Sequence, residues 1–103
     1  MIKNITILGA GESGFGAAML ANQKGHNVFV SDNSNIRKDI QSIFLENSIR
    51  FEENKHTFNE IEISDLIIKS PGIPNNSEII SKIKSIDIPI ISEIEFASSY
   101  SNS

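Results

Sequence analysis

The chain has 103 residues and a formal net charge of −4, with 39% apolar and 21% charged residues. This length predicts one domain, residues 1–103, with one hydrophobic core. The acidic balance argues against a nucleic-acid surface, and the absence of cysteine excludes disulfides and thiolate metal sites. No apolar run approaches the roughly 20 residues of a membrane span. The N-terminus leads straight into a predicted strand and leaves no room for a signal peptide, so we expect a cytoplasmic protein.

The first predicted elements form a strand–turn–helix–strand unit. Ile2 to Leu8 is rich in β-branched residues and predicts a buried strand. Ser13 to Lys24 predicts a helix that ends at Gly25, where a C-cap glycine belongs. His26 to Ser31 predicts the second strand. These elements together have the length and order of a βαβ unit.

The turn between the first strand and the first helix is rich in glycine. The spacing Gly9-x-Gly11-x-x-Gly14, between a strand and a helix, is typical of loops that bind phosphate. Unpaired amides at the helix start and the helix dipole attract an anion, and a side chain there would keep the anion away. Glu12 is unusual in this setting because a carboxylate would repel that anion. The alternative is a tight structural turn without a ligand.

Strands and helices continue to alternate along the rest of the chain. The predicted elements are a helix at 36–47, a strand at 49–52, a turn and short helix within 54–63, a strand at 65–70, a helix at 77–85 with Ser77 as its N-cap, a strand at 88–92, a helix at 93–100 and a frayed end at 101–103. The alternation predicts a Rossmann-like α/β fold with a parallel sheet of about five strands and helices on both faces.

Ligands of such sheets bind beyond the carboxyl ends of the strands, where three segments of this chain converge. They are the glycine turn, Asp32 with its followers, and Ser70-Pro71-Gly72. An acid at the position of Asp32 binds ribose hydroxyls in dinucleotide folds, and the alternative is an N-cap for the helix that begins near Asn35. The Ser-Pro-Gly segment predicts either a phosphate or sugar contact or a rigid turn.

The remaining polar residues predict no metal site and no catalytic group. His26 and His56 do not stand in a cluster that could bind a metal, and we expect both at the surface or at strand ends. Glu93 and Glu95 would not share a helical face. They predict a solvated helix surface rather than an acid–base pair.

Four segments together resemble the N-terminal domain of the Mur ligases. They are LGAGESG at 8–14, VFVSD at 28–32, IIKSPGIP at 67–74 and PIISEIEF at 89–96. Within this family the resemblance is greatest to the ligases that add D-glutamate to UDP-N-acetylmuramoyl-L-alanine. It implies a domain that binds the UDP end of this substrate. ATP and Mg²⁺ would then bind to a central domain, and a third domain would bring D-glutamate.

The resemblance also implies a set of UDP-binding residues. They are Gly11, Glu12, Ser13, Gly14, Asp32, Asn33, Ser70, Pro71 and Gly72. The glycine turn would hold the diphosphate or uracil, and Asp32 would contact uracil. Relatives carry a larger polar or basic pair where this chain has Asn33 and Ser34.

The sequence contains no Gly-x-x-x-x-Gly-Lys-Ser/Thr motif. We therefore expect it to be a domain of a longer ligase that does not bind ATP or catalyse a reaction alone. One alternative is the NAD(P)-binding Rossmann domain of a dehydrogenase or regulatory module, which shares the glycine turn and Asp32. An NAD(P)-binding domain does not require the segments at 70–74 and 92–96. The other alternative is a small α/β interaction module without a ligand.

Overall fold

The computed structural model describes residues 2–100, which form one five-stranded sheet and five helices. The strands are β1 (Asn4–Leu8), β2 (Asn27–Ser31), β3 (Arg50–Glu52), β4 (Leu66–Lys69) and β5 (Ile90–Ser92). The helices are α1 (Glu12–Gln23), α2 (Lys38–Glu46), α3 (Phe58–Ile61), α4 (Glu78–Lys84) and α5 (Glu93–Ser98). The expectation of a frayed end at 101–103 lies outside the described residues.

The sheet has the strand order β3-β2-β1-β4-β5, and every neighbouring pair is parallel. Parallel neighbours require crossover connections, and the helices provide them. The predicted Rossmann-like α/β class with five parallel strands is therefore confirmed. All five strands end at one edge of the sheet, where the loops that follow them meet.

Apolar side chains from both faces of the sheet form two core clusters. Val28 and Val30 point to one face, where α1, α2 and α5 pack. Phe29 points to the other face, where α3 and α4 pack. Ala17 and Ala18 let α1 lie close to the sheet, and both are buried. Because β1, β2 and β4 are covered on both faces, these strands are mainly apolar, whereas the edge strand β3 carries the exposed Arg50.

Several elements begin later than the sequence predicts. β1 starts at Asn4, whose register partner is Asn27, and Ile2 is exposed before the first paired position. α2 starts at Lys38 rather than Ile36. The Ile36 side chain is buried and its N–H donates to Glu53 Oε1 at 2.8 Å. This residue therefore anchors the loop before α2 instead of extending the helix.

The glycine turn is held by close contacts that exclude a Cβ atom at two positions. Gly9 has a φ of +99°, and a Cβ there would lie 2.7 Å from Ser70 Cβ. A Cβ on Gly14 would lie 2.0 Å from the carbonyl oxygen of Gly9. The first turn of α1 thus rests directly on the backbone at the end of β1. By contrast, a Cβ on Gly11 or Gly16 would meet no atom within 4 Å.

We expect Gly14→Ala to lower the free energy of unfolding by about 1–3 kcal/mol, because the new methyl group overpacks the contact with Gly9. The matched control is Gly16→Ala in the same helix, where the methyl group enters open space. That control should raise the free energy of unfolding by about 0.5–1 kcal/mol through helix propensity. Urea denaturation measures both, and equal effects would contradict the close contact.

Candidate functional site

A cleft of about 570 Å³ opens at the carboxyl edge of the sheet. It is bounded by the turn after β1, the loops after β2 and β4, the segment before α3 and the first turns of α4. The chain order of the strands reverses between β1 and β4, so the cleft lies at the switch point where ligands of open α/β sheets bind. A cleft therefore lies at the sheet edge where the sequence predicts the three segments to converge.

Five of the predicted binding residues line this cleft. Gly11 comes from the glycine turn, Asp32 and Asn33 follow β2, and Ser70 and Gly72 follow β4. The three segments that the sequence places at one sheet edge thus meet around one space. Whether these residues bind UDP stays a prediction.

The other four predicted residues do not line the cleft. Gly14 lies beneath Gly9, and the Glu12 side chain is 93% exposed and 4.0 Å from the guanidinium of Arg37. This orientation resolves the difficulty of an acid in a phosphate turn, because the carboxylate points outward. Ser13 and Pro71 line a separate groove. Their roles in binding UDP also stay predictions.

The carboxylate of Asp32 ties the glycine turn to the loop after β2. Its Oδ2 accepts the N–H of Ala10 at 2.7 Å, and its Oδ1 accepts the N–H of Ser34 at 2.8 Å. The N-cap of α2 is Arg37, so Asp32 does not cap that helix. Hydrogen bonds to both oxygens hold the turn and the loop in fixed positions beside the cleft.

The first turn of α1 leaves backbone amides without helical acceptors. Its first internal bond runs from the Phe15 N–H to the Gly11 carbonyl at 2.8 Å. The amides of residues 12–14 therefore precede the helical bonding pattern, and no side chain of the N-cap residue accepts from them. Gly11 lines the cleft with open space at its Cβ position. This end of α1 can receive an anion.

The Ser-Pro-Gly turn after β4 is held by a lysine. Lys69 Nζ donates to the carbonyl oxygens of Ser70 at 3.2 Å and Ile73 at 2.7 Å. The Ile73 N–H also donates to the Ser70 carbonyl at 3.1 Å. The segment is therefore a rigid turn, and Ser70 and Gly72 of the same turn form one side of the cleft.

His56 is a cleft residue that the sequence analysis missed. The sequence predicts His56 at the surface or at a strand end, but the residue is half-buried and lines the cleft. Its Nδ1 lies 2.7 Å from the Oγ of the buried Ser31. Burial lowers the pKa of His56 below its ordinary value, although the carboxylates of Glu52 and Asp32 oppose this effect. Ser31 and His56 are 25 residues apart, so no local pattern joins them.

Glu93 also departs from expectation. It was predicted on a solvated helix surface, but it is only 7% exposed, and neither carboxylate oxygen has a hydrogen-bond partner among the described residues. Its Oε2 lies near the first turn of α1, 3.6 Å from the Cβ position of Gly14, where the helix dipole favours negative charge. Glu95 instead completes a capping box with Ser92.

A sequence model described as the MurD N-terminal domain matches residues 4–79. The chain belongs to this family. Two relatives named UDP-N-acetylmuramoylalanine–D-glutamate ligase, from Bacteroides fragilis and Bacteroides thetaiotaomicron, are 46% and 50% identical over 101 residues. Each match covers 98% of this chain and 23% of the relative. The chain thus spans about a quarter of the length of these ligases.

Solved structures of related ligases share the fold of this MurD N-terminal domain. A pseudomurein peptide ligase type C from Methanothermus fervidus matches with a TM-score of 0.84 and 27% identity, over 96% of this chain and 20% of that one. The UDP-N-acetylmuramate–alanine ligase MurC from Thermotoga maritima matches with a TM-score of 0.80 and 17% identity. This match covers 94% of this chain and 22% of MurC. A shikimate dehydrogenase from Aquifex aeolicus matches with a TM-score of 0.56 and 15% identity, over 92% of this chain and 44% of the dehydrogenase. This likeness shows the fold alone.

The part of the chain that the structure describes has neither a membrane span nor a metal-binding cluster. Between residues 2 and 100, no helix has the length and apolar character to span a bilayer. The same residues hold no group of three or more His, Asp or Glu side chains arranged to bind a metal ion.

The burial of His56 predicts a pH dependence of stability. Because the folded pKa lies below the unfolded value of 6.5, the unfolded chain binds more protons as the pH falls through 6.5. We expect the free energy of unfolding to be highest above pH 6.5 and to decrease between that pH and the folded pKa. Burial and Lys3 also lower the pKa of His26, so the measurement needs a His26→Gln background. Urea denaturation from pH 5 to 7.5 tests this, and a His56 pKa above 6.5 by NMR would contradict it.

Proposed function

We propose that this chain binds the UDP end of UDP-N-acetylmuramoyl-L-alanine and thereby anchors the substrate of a D-glutamate-adding ligase. The observation that carries the proposal is the cleft at the switch point, where Gly11, the N-cap of α1, meets the loops after β2 and β4. Membership in the MurD N-terminal domain family and the names of the relatives supply the substrate class.

The cleft and the adjoining start of α1 suit the two parts of UDP. The unpaired amides at the start of α1 are suited to the diphosphate, because they donate to oxygen atoms without the cost of moving a side chain. Lys82 of α4 also lines the cleft, and its Nζ lies 3.8 Å from the carboxylate of Glu78, which lines the cleft too. Asp32, Asn33 and Gly72 line the rest of the cleft with polar groups suited to the nucleoside.

The longer protein would catalyse the ATP-dependent formation of an amide between the substrate carboxylate and D-glutamate. This chain has no P-loop sequence and, within residues 2–100, no carboxylate cluster for a metal ion. ATP, Mg²⁺ and D-glutamate would therefore bind to other parts of a longer polypeptide, which we propose to be cytoplasmic. The role of this domain is to hold the end of the substrate that does not react.

We expect the 103-residue chain to bind UDP with a Kd of about 0.1–1 mM, or roughly 4–5.5 kcal/mol. The site would lack contacts from the rest of the ligase, yet the ligand still loses its translational and rotational freedom. NMR chemical-shift titration measures this affinity. Shifts with UDP and none with NAD support the proposal. Shifts with NAD and none with UDP would favour the dehydrogenase alternative.

We expect Gly11→Val to abolish UDP binding and to leave the fold intact. Gly11 has extended backbone angles that any residue adopts, and its Cβ position is open. The valine side chain would occupy the cleft in front of the α1 amides. Gly16→Val is the matched control, since it also enters open space but does not line the cleft. Unchanged UDP affinity in folded Gly11→Val would mean that the turn does not touch the ligand.

A further inference from the structure

The buried carboxylate of Glu93 lies at the same helix end as the proposed diphosphate site. Glu93 is the first residue of α5, and its Oε2 lies 3.6 Å from the position that a Cβ would take on Gly14. Gly14 belongs to the first turn of α1, where the amides have no helical acceptor. The start of α1 therefore borders two spaces, the cleft at Gly11 and the groove that Ser13 shares with Glu93.

No cation of the described residues forms an ion pair with Glu93. Neither carboxylate oxygen has a hydrogen-bond partner, and none of the ion pairs found between residues 2 and 100 includes this residue. Lys69 and Lys84 line the same groove, but Lys69 Nζ donates to two backbone carbonyls. Removing a carboxylate from water is costly unless something offsets its charge. The positive end of the α1 dipole is the offset that the structure provides.

Glu93 differs in this respect from the two other carboxylates beside the glycine turn. Each oxygen of Asp32 accepts a backbone amide. The Glu12 side chain is 93% exposed, so water and salt screen its charge. Glu93 is only 7% exposed and has no such partner, so its charge acts on its surroundings with less screening.

We propose that Glu93 weakens the binding of a diphosphate at the start of α1 according to the charge of that diphosphate, and so favours a UDP-sugar over free UDP. This inference rests on the proposed function, because it concerns the affinity of the same site. Two negative charges at one helix end repel each other, and burial of one of them strengthens the repulsion. The repulsion therefore grows with the charge of the ligand.

Free UDP and a UDP-sugar differ in charge at their terminal phosphate. A phosphate monoester loses its second proton at about pH 6, so free UDP carries one more negative charge at pH 7.5 than a UDP-sugar, where this oxygen is esterified. Both ligands have the same uridine, so contacts with the base and ribose do not separate them. Glu93 would thus determine specificity through charge, without touching the ligand.

The test compares UDP with UDP-N-acetylglucosamine, a UDP-sugar whose sugar carries no charge. NMR titration at pH 7.5 and low ionic strength measures both Kd values, and the same spectra report the fold. Glu93→Gln keeps the shape of the side chain and removes its charge. We expect it to tighten UDP about tenfold and UDP-N-acetylglucosamine about fivefold, which moves the ratio of the two affinities about twofold toward UDP. Glu93→Asp keeps the charge and should keep the original ratio.

The matched control is Glu95→Gln, which removes one negative charge from the exposed surface of the same helix. Glutamine also serves at this position of a capping box, so α5 should be retained and the ratio of affinities should not change. If Glu93→Gln does not fold, Glu93→Leu provides the same comparison, because it removes the buried charge and leaves no polar group.

The outcomes separate this inference from the proposed function. If the unmodified chain binds neither UDP nor UDP-N-acetylglucosamine, the proposed function fails and this inference fails with it. If both ligands bind but the loss of the Glu93 charge leaves the ratio of their affinities unchanged, only the inference is overturned. An equal change of the ratio in Glu95→Gln would also overturn it, since an exposed charge would then act as strongly as the buried one.

Discussion

The site depends on one backbone contact, in which the first turn of α1 rests on the carbonyl of Gly9. No side chain fits between Gly14 and Gly9, and none fits between Gly9 and Ser70. These two close approaches bring the ends of β1, α1 and β4 together. Beside these contacts, a Cβ on Gly11 would meet no atom within 4 Å, and the amides of residues 12–14 have no helical acceptor. The cleft is therefore a consequence of close packing in the turn beside it.

Around this contact, polar side chains fix the loops that border the cleft. Asp32 bonds the glycine turn to the loop after β2, and Lys69 holds the turn after β4 through two carbonyls. The carboxylate of Asp32 and the ammonium group of Lys69 thus both form hydrogen bonds with the protein backbone. A site built in this way has little conformational entropy to lose on binding, so a weak ligand can be placed with good geometry. A rigid site of this kind fits the proposed role of anchoring a substrate.

The sequence predicted those parts of the fold that depend on local patterns. The strand–turn–helix order, the C-cap at Gly25 and the alternation of elements all appear as expected, with boundaries shifted by one or two residues at β1 and α2. The shift at Ile36 has a long-range cause, a hydrogen bond to Glu53. Glu93 was assigned to solvent because helical spacing describes one helix and contains no information about its neighbour α1.

By itself, the sequence determined the fold class and the sheet edge at which the three predicted segments meet, because both follow from the alternation of strands and helices along the chain. Four of its segments also carry the resemblance to the family. Only the tertiary structure decided which side chains border the cleft. It turned Glu12 outward, engaged both oxygens of Asp32, and brought His56 to the cleft through a bond to a residue 25 positions away. Such contacts depend on how separate loops pack at one sheet edge, and no local periodicity encodes that arrangement.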